Sequence, residues 1–338
     1  MKWFKICSGS KDPKFLLNSY PEVIHFLKRY CFLFDDNSKI NESDSTWFTQ
    51  NKLYLLKEKN QILAVMRETI PFSIKTKFIQ HELATDKKTS VCEQRKFISL
   101  FQKKILSDLP YMCKQSIFLT FHPMDTNITN TLIDDSGILF DKQIRSILTI
   151  TRSKINKNNN NIINIIIKDK EYEIEILYNP LDPQDYKIIK KLSDKATNEA
   201  NSHIKNKLLR KHFLVTESDK DTYQDYVRDW KPVFKSIFSI IKESKTIIGY
   251  TQIVRHAFIQ NMAFQAMTYI TPTKRGIGLA RILKSITYDF LLENEHWNNI
   301  DMIMTNNHSD NTPMLKVNDR LGFNNAALFL GWLFDLKN

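Results

Sequence analysis

Glycine is scarce in this sequence, and two of its seven glycines lie two residues apart in the stretch Arg275-Gly276-Ile277-Gly278-Leu279-Ala280. Glycine accepts turn dihedrals that other residues avoid and, lacking a Cβ, leaves nearby N–H groups open. Strand-forming residues 263–270 precede the pair, and a stripe of helical spacing follows it at Leu279, Ile282, Leu283, Ile286, Phe290 and Leu291. A strand that leads through an open turn into the N-terminus of a helix is an arrangement that suits the binding of a phosphate.

This loop differs from two common phosphate-binding motifs. A dinucleotide fingerprint needs a third glycine and a following βαβ unit, and a Walker loop needs Gly-Lys-Ser/Thr. Neither pattern is present here.

The gross composition favours a globular chain of two domains. It has 338 residues, of which 42% are hydrophobic and 12% aromatic. Four cysteines (Cys7, Cys31, Cys92 and Cys113) form no CxxC pair, so we expect neither a metal site nor a disulfide framework. The N-terminal stretch has no apolar run of about seven residues, so we expect no signal peptide. No run approaches the roughly 18 apolar residues that a membrane helix needs. These features predict a cytoplasmic protein.

The net charge of +12 raises the question of nucleic-acid binding. Residues 1–180 contain 27 basic and 20 acidic side chains, and residues 181–338 contain 22 and 17, so the excess of +7 and +5 is spread along the chain. No block of five or six basic residues occurs. We therefore expect a solvated surface, with neither nucleic acid nor a membrane as partner.

The order of predicted elements indicates a mixed α/β fold built twice. A break at residues 179–183 separates a first domain, 1–180, from a second, 181–338. The second begins with helices at Gln184–Ser193 and Ala196–Leu209, followed by a hairpin, a strand, the glycine loop, a helix, a strand, a short helix and a closing strand. The first half repeats this order, but Asp86–Cys92 stand where the second half has its glycines. We expect the first copy to be degenerate.

Two motifs in the second half resemble those of the GNAT acetyltransferases. Arg275-x-x-Gly278-x-Ala280, between strand and helix, looks like their acetyl-CoA motif. The later string from Thr305 to Phe323, with asparagines after a strand and a Leu-Gly-Phe ending, looks like their second motif, and its ending resembles the tandem branch that includes mycothiol synthase. The resemblance covers 185–338 by motif and 1–180 by element order.

The resemblance implies which residues bind acetyl-CoA. Backbone groups of Thr268, Tyr269 and Ile270 would pair with the pantetheine like an added strand. The N–H groups from Arg275 to Ala280 would hold the pyrophosphate, and the Arg275 guanidinium would add a charge-assisted contact. The cofactor set implied is Thr268, Tyr269, Ile270, Arg275, Gly276, Ile277, Gly278, Leu279, Ala280, Asn307 and Asn311, without a metal.

The short helix near the C-terminus carries further expectations. Thr312 is predicted as its N-cap, Pro313 as its first residue and Gly322 as its stop. Its apolar residues Met314, Val317 and Leu321 are predicted to be core. Asn311 and Asn307 could each contact the cofactor or cap backbone groups.

The sequence offers several candidates for the acid and the base of amine acetylation. Many members of the family resembled have a tyrosine four residues before the glycine of Gly-Phe, and this chain has Asn318 there. Tyr269, Tyr250 and Tyr288 are alternative proton donors or packing residues, and His256 is a base or a surface histidine. The catalytic candidates are thus His256, Tyr269 and Asn318.

The resemblance implies an N-acetyltransferase that moves the acetyl group from acetyl-CoA directly to a primary amine of a small molecule or peptide-like acceptor. The first half would shape the acceptor pocket. A non-catalytic acyl-CoA-binding or scaffold protein is the alternative, because the tyrosine is missing. A basic nucleic-acid-binding protein is the third possibility, and it would show a steep salt dependence.

Overall fold

A computed structural model describes residues 1–7, 51–59, 61–69, 78–86, 88–105, 115–122, 124, 138–150, 162–178, 181–204, 223–227, 234–256, 261–297 and 299–335. The strands are β1 Lys2–Cys7, β2 Asn51–Glu58, β3 Gln61–Thr69, β4 Phe78–Thr85, β5 Gln115–His122, β6 Ile138–Thr149, β7 Ile162–Ile167, β8 Lys170–Tyr178, β9 Phe234–Glu243, β10 Thr246–His256, β11 Met262–Ile270, β12 Met302–His308 and β13 Asn324–Asp335. The helices are α1 Val91–Ile105, α2 Pro183–Ala200, α3 Leu279–Glu293 and α4 Thr312–Arg320, with a single helical turn at Tyr223–Asp225 and 3₁₀ turns at Asn201–His203, Pro272–Lys274 and Glu295–Trp297. The predicted mixed α/β class is confirmed.

The chain forms two compact units, Met1–Arg145 with Asn325–Asn338, and Ser146–Asn324. The division falls within β6, whereas the sequence predicts a boundary at residues 180/181. The functional division into 1–180 and 181–338 stays a prediction.

The first unit contains a sheet in the order β1-β2-β3-β4-β5-β13. Strands β1 to β4 are antiparallel neighbours, β4 and β5 are parallel, and β13 returns antiparallel to β5. The parallel pair is joined through α1, whose Phe97 and Phe101 pack on Trp3 and Tyr54 in one buried cluster. The aromatic side chains of α1 therefore form the centre of this unit.

The second unit contains a sheet in the order β12-β11-β10-β9-β8-β7, with the end of β6 beside β12. The hairpin β9–β10 turns at Ser244 and Lys245, both with positive φ, and β11 lies antiparallel to β10. A helix, α3, then leads to the parallel strand β12. The elements β9, β10, β11, α3 and β12 thus follow one another in the same order as β2, β3, β4, α1 and β5 of the first unit. The predicted repeat of element order is present.

Helices cover both faces of the second sheet. Side chains alternate along β9, so Ile237 and Ile241 pack with residues of α3, whereas Phe238 and Ile240 pack with residues of α2. Burying one such side chain contributes about 1.5–3 kcal/mol. The apolar stripe predicted for α3 therefore places that helix against the sheet.

The prediction of two helices after residue 183 was wrong. One helix, α2, runs without a break through Asp194 and Lys195, starting from the N-cap Asp182, whose carboxylate accepts from the N–H groups of Gln184 and Asp185. Neither glycine nor proline interrupts residues 184–200, and Lys190 pairs with Asp194 one turn on. Residues 205–209, the end of the second predicted helix, lie outside the described residues.

Candidate functional site

The glycine loop joins β11 to α3 in an open conformation. Gly276 and Gly278 have φ of 80° and 92°, in the region that favours glycine. A Cβ built at either position meets no atom within 4 Å. The side chains of Leu279 and Ile277 pack into the core below, so the loop is anchored while its outer surface stays clear.

The N-terminus of α3 offers unsatisfied donors at this loop. Gly278 is its N-cap and no side chain caps the helix. The first hydrogen bond within the helix runs from the Ile282 N–H to the Gly278 carbonyl, at 3.1 Å. The preceding helical N–H groups, of Leu279, Ala280 and Arg281, have no acceptor in their own turn. With the positive helix end, they form a cradle for an anion.

Arg275 lies at the rim of the cradle, but another residue holds it. Its Nη1 and Nη2 lie 2.6 and 2.8 Å from the two carboxylate oxygens of Glu199 on α2. Its Nε donates to the Ile270 carbonyl at 2.8 Å, and its guanidinium lies over the Tyr269 ring. The bond to Glu199 raises the pKa of Arg275. An anion in the cradle would therefore compete with Glu199 for this side chain.

The two strands beside the loop stop pairing with each other before either strand ends, and we call the unpaired stretch between them the gap. Strands β11 and β12 pair only from Met262 to Phe264 and from Met302 to Met304. The next contact across them is a hydrogen bond from Thr305 Oγ1 to the Gln265 carbonyl, at 3.1 Å. Beyond it, β11 continues to Ile270 and β12 to His308 without pairing to each other.

The register of β11 determines which backbone groups face this gap. The Thr271 N–H donates to the Ile248 carbonyl at 2.8 Å, which makes this a hydrogen-bonded pair of the β10–β11 ladder. Such pairs alternate along antiparallel strands. The backbone of Tyr269 therefore faces β10, and those of Thr268 and Ile270 face the gap. Two of the three strand positions implied by the resemblance thus face the gap, although the Ile270 carbonyl already accepts from Arg275 Nε.

A bulge on β11 is held by a buried glutamine. Gln252 pairs with Met267 and Ile253 with Gln265, so Ala266 is the extra residue. Gln265 is buried, and its Nε2 donates to the Thr251 hydroxyl at 2.9 Å and to the Gln252 carbonyl at 2.8 Å. The Tyr288 hydroxyl of α3 donates to Gln265 Oε1 at 2.9 Å. Burial raises the pKa of Tyr288, so this tyrosine holds the bulge with its proton in place.

The residue at the tyrosine position, Asn318, is the buried residue of α4, with 1% of its surface exposed. Its Nδ2 donates to Asn307 Oδ1 at 2.6 Å, and its Oδ1 accepts from Lys284 Nζ at 2.6 Å. Lys284 lies on α3, is also 1% exposed and lies over the Phe323 ring. Burial lowers the pKa of Lys284 to about 7.

The helix α4 differs from its prediction in two respects. Its N-cap is Asn311 and not Thr312, because the Asn311 side chain accepts from the Met314 N–H at 3.3 Å. The apolar residues predicted as core (Met314, Val317 and Leu321) are only partly buried. Gly322 follows the helix with φ of 88°, as predicted for its stop. Asn311 thus has a capping role whatever else it contacts.

The other catalytic candidates are placed as follows. The Tyr269 side chain is partly buried and packs in a cluster with Ile189 and Leu192 of α2, which we call the α2 cluster. This cluster also contains the fully buried Tyr250. Burial raises the pKa of Tyr250. His256 ends β10, opposite Phe234, and its side chain lies outside the described residues. The structure therefore brings Asn307 and Asn318 together and leaves the Tyr269 side chain in the α2 cluster.

Sequence reasoning missed Lys284 and Gln265. A signal was present for the first, because Lys284, Thr287 and Tyr288 have the i, i+3, i+4 spacing of a second stripe beside the apolar one. All three are buried. The partners of this stripe are distant in sequence, so its role could not be deduced from the spacing.

The corresponding region of the first unit is built differently. Strands β4 and β5 stay paired over six residues, from Phe78–Gln115 to Leu83–Thr120. The register between β3 and β4 has no bulge. Ser90 and Glu93 form a capping box at the start of α1, with the Ser90 N–H donating to Glu93 Oε2 at 2.9 Å and the Glu93 N–H to Ser90 Oγ at 3.2 Å. Two donors at this helix end, the N–H groups of Ser90 and Glu93, are therefore met by its own side chains.

The described ranges have neither a membrane-spanning helix nor a cluster of metal-ligating side chains. None of the helices there has the length and hydropathy needed to cross a bilayer. In the same ranges, no group of three or more His, Cys, Asp or Glu side chains could hold a metal ion.

Comparison with known proteins identifies the fold. No family model and no curated protein sequence matches the chain. The structure is similar to that of a tandem GNAT protein from the clavulanic acid biosynthesis pathway, with a TM-score of 0.53 and 12% identity over 85% of this chain and 83% of that one. A GCN5-related N-acetyltransferase from Sphaerobacter thermophilus gives 0.48 and 9% over 86% and 82%, and one from Kribbella flavida gives 0.45 and 8% over 81% and 87%. The first shows a tandem GNAT fold, and the two lower scores add nothing to it.

Proposed function

We propose that this protein is an acetyl-CoA-dependent N-acetyltransferase whose acceptor is a primary amine of a small molecule or peptide-like compound. The observation that carries the proposal is that the gap runs along the strand segment Gln265–Ile270 and that the glycine cradle follows the end of the same segment. An extended chain ending in a diphosphate fits such a site, because the edge of β11 can pair with amides and the helix end can bind phosphate.

The cradle fits a pyrophosphate by a direct structural criterion. A side chain at Gly276 or Gly278 would project into the space that is now clear. The N–H groups of Gly276, Ile277, Gly278, Leu279 and Ala280 would bind the phosphate oxygens, and the backbone of Thr268 and Ile270 would bind the pantetheine. Arg275 would contribute after release from Glu199, and Asn307 and Asn311 lie along the β12 side.

The reaction is acyl transfer without a covalent enzyme intermediate. Acetyl-CoA would supply the thioester, and the neutral acceptor amine would form the new C–N bond as the C–S bond breaks. The proton lost by the amine nitrogen would pass to the departing CoA thiolate. The protein's part is to orient the two reactants and to exclude water. The catalytic set His256, Tyr269 and Asn318 stays a proposal, and of these Asn318 has no titratable proton to give.

Direct measurement tests the proposal in two steps. Calorimetry on the full chain should show acetyl-CoA binding, and a thiol assay with a panel of primary amines should show CoA release that depends on one class of amine. Gly278→Glu, which fills and negatively charges the cradle, should abolish both signals. Failure of wild-type protein to bind acetyl-CoA would refute the proposal.

One observation favours a second candidate, a non-catalytic acyl-CoA-binding or scaffold protein. Asn318 replaces the tyrosine of the family resembled, and its amide is already committed to Lys284 and Asn307. Tight binding of acetyl-CoA without thiol release for any amine would favour this function.

Finer assignments belong to the same proposal. The catalytic domain is placed at 181–338 and the degenerate one at 1–180, because the cradle and gap lie in the second half. The Leu-Gly-Phe ending of the α4 motif supports a place near the tandem branch that includes mycothiol synthase. Cysteine usage supports a cytoplasmic location. The even spread of basic charge supports the absence of a nucleic-acid partner, and the lack of a long apolar run supports the absence of a membrane partner.

A further inference from the structure

Three side chains form a polar chain from α3 through α4 to β12. Lys284 Nζ donates to Asn318 Oδ1, and Asn318 Nδ2 donates to Asn307 Oδ1, both at 2.6 Å. Among the residues that the structure describes, Lys284 Nζ has no second acceptor and Asn307 Nδ2 has none. The first two members are 1% exposed.

The lysine determines which way the amide groups of Asn318 and Asn307 are turned within this polar chain. An amide can turn either its oxygen or its NH₂ towards a neighbour, and its partners decide which. Below its pKa of about 7, Lys284 is an ammonium that only donates, so Asn318 must then turn its oxygen to Lys284 and its NH₂ to Asn307. Asn307 must then turn its oxygen to Asn318, which leaves its NH₂ on the opposite side.

Asn307 lies where this orientation can affect a ligand. It is three residues beyond Met304, the last residue of β12 that pairs with β11, and therefore borders the gap. Packing alone does not account for a lysine at position 284, since an apolar side chain would avoid the desolvation that lowers the pKa of this amine to about 7.

We infer that Lys284 is a positioning residue, which fixes the polarity of Asn318 and Asn307 so that Asn307 offers an N–H donor to a carbonyl oxygen of an acyl-pantetheine chain. The inference rests on the proposed function and adds a determinant of binding to it. Lys284 acts through two amides and touches no reacting atom. The carbonyl is either that of the thioester or that of a pantetheine amide.

The decisive variant is Asn318→Asp, which keeps the shape of the side chain but offers oxygen on both sides. The new carboxylate would give Lys284 a counter-charge, and Asn307 would have to turn its NH₂ towards that carboxylate and its oxygen towards the gap. We expect resistance to urea equal to or above that of the wild type, together with acetyl-CoA affinity about tenfold lower by calorimetry. If Asn318 had only a structural role, resistance to urea and acetyl-CoA affinity would not change in opposite directions.

Two further variants test the same chain from its ends. Asn307→Asp keeps the bond from Asn318 and places an oxygen at the gap, so its acetyl-CoA affinity should fall by a similar factor. Lys284→Met leaves both amides free to turn and should lower the affinity about threefold to tenfold. Lys316→Met, the same change at an exposed lysine of α4, should leave it unchanged.

Titration with CoA and acetyl-CoA in parallel identifies the carbonyl. Loss of affinity for acetyl-CoA alone would place the contact at the thioester, and equal loss for both would place it at a pantetheine amide; either supports the inference. If the wild type binds both compounds and Asn318→Asp binds them equally well, the inference is wrong while the proposed function stands. If the wild type binds neither, both are wrong.

Discussion

Lys284 has an amine that water does not reach, and this makes the stability of the protein depend on pH. Burial lowers its pKa from 10.5 to about 7. Between these values the unfolded chain holds a proton that the folded chain has released, so the free energy of unfolding rises with pH, by up to about 1.4 kcal/mol per pH unit. Below about pH 7 the full penalty of the buried charge is present.

Urea denaturation of the wild type and Lys284→Met at pH 7 and pH 9.5 measures this penalty. The stability of the wild type relative to the variant should increase by about 3 kcal/mol over that interval, since methionine does not titrate. Lys316→Met should show no such change. A difference that stays constant with pH would mean that the amine titrates at its ordinary value in the folded protein.

Gly278 is the residue on which the phosphate site depends most directly. Gly278→Glu should lower acetyl-CoA affinity by about 100-fold or more, because it blocks the cradle and repels the diphosphate. Its positive φ should also reduce stability by about 1–2 kcal/mol. Calorimetry and urea denaturation report the two effects separately.

Gly322 provides the matched control for that variant. It has a similar φ of 88°, and a Cβ there would make only ordinary contact with Leu148. Gly322→Glu should therefore lose comparable stability and keep its affinity. Equal affinities for the two variants would remove the cradle from the proposed site.

At the level of elements, the sequence predicted the helices and turns that are specified by residues close to one another in the chain. The apolar stripe of α3, the glycine loop and the glycine stop of α4 each depend on neighbours a few residues apart. The cap of α4 was misplaced by one residue, because Asn311 and Thr312 are both good capping residues and only the Asn311 side chain reaches the Met314 N–H.

Elements that depend on distant partners were not predictable. The hydrogen bond from Lys284 to Asn318 spans 34 residues, and the bulge at Ala266 depends on Tyr288 reaching Gln265 from another element. No periodicity reports such pairings. Loss of the strand pairing after Phe264 likewise follows from the register of β11 against β12, which a single sequence does not specify.

The ion pair between Glu199 of α2 and Arg275 of the glycine loop predicts that the protein binds acetyl-CoA less tightly than it would without Glu199. Glu199→Gln removes the charge that holds Arg275 and that would face a bound phosphate, so acetyl-CoA affinity should rise about threefold to tenfold, more at low salt. Asp194→Asn, which removes one charge from the same helix away from the loop, should have no effect. Unchanged binding in Glu199→Gln would mean that Glu199 does not compete for Arg275, and weaker binding would mean that it orients Arg275 for the ligand.

At the scale of the whole molecule, two halves with the same order of elements differ at each feature that the site needs. In the second, β11 is bulged, separates from β12 and leads to an uncapped helix end. In the first, β4 is regular, stays paired to β5 and leads to a helix whose first turn has a capping box. The degeneracy inferred from missing glycines thus extends to the backbone geometry of the strands.

This asymmetry predicts one acetyl-CoA per chain. Calorimetry with acetyl-CoA should give a stoichiometry near one, and Gly278→Glu should remove the binding completely, because β4 stays paired to β5 and the capping box of α1 occupies two of the donors that a second diphosphate would need. Ser90→Ala should reduce stability by about 1 kcal/mol, through loss of the cap, without changing affinity or stoichiometry. A stoichiometry near two, or binding that survives in Gly278→Glu and disappears in a variant of the Ser90–Glu93 pair, would place a working site in the first half and contradict its closure.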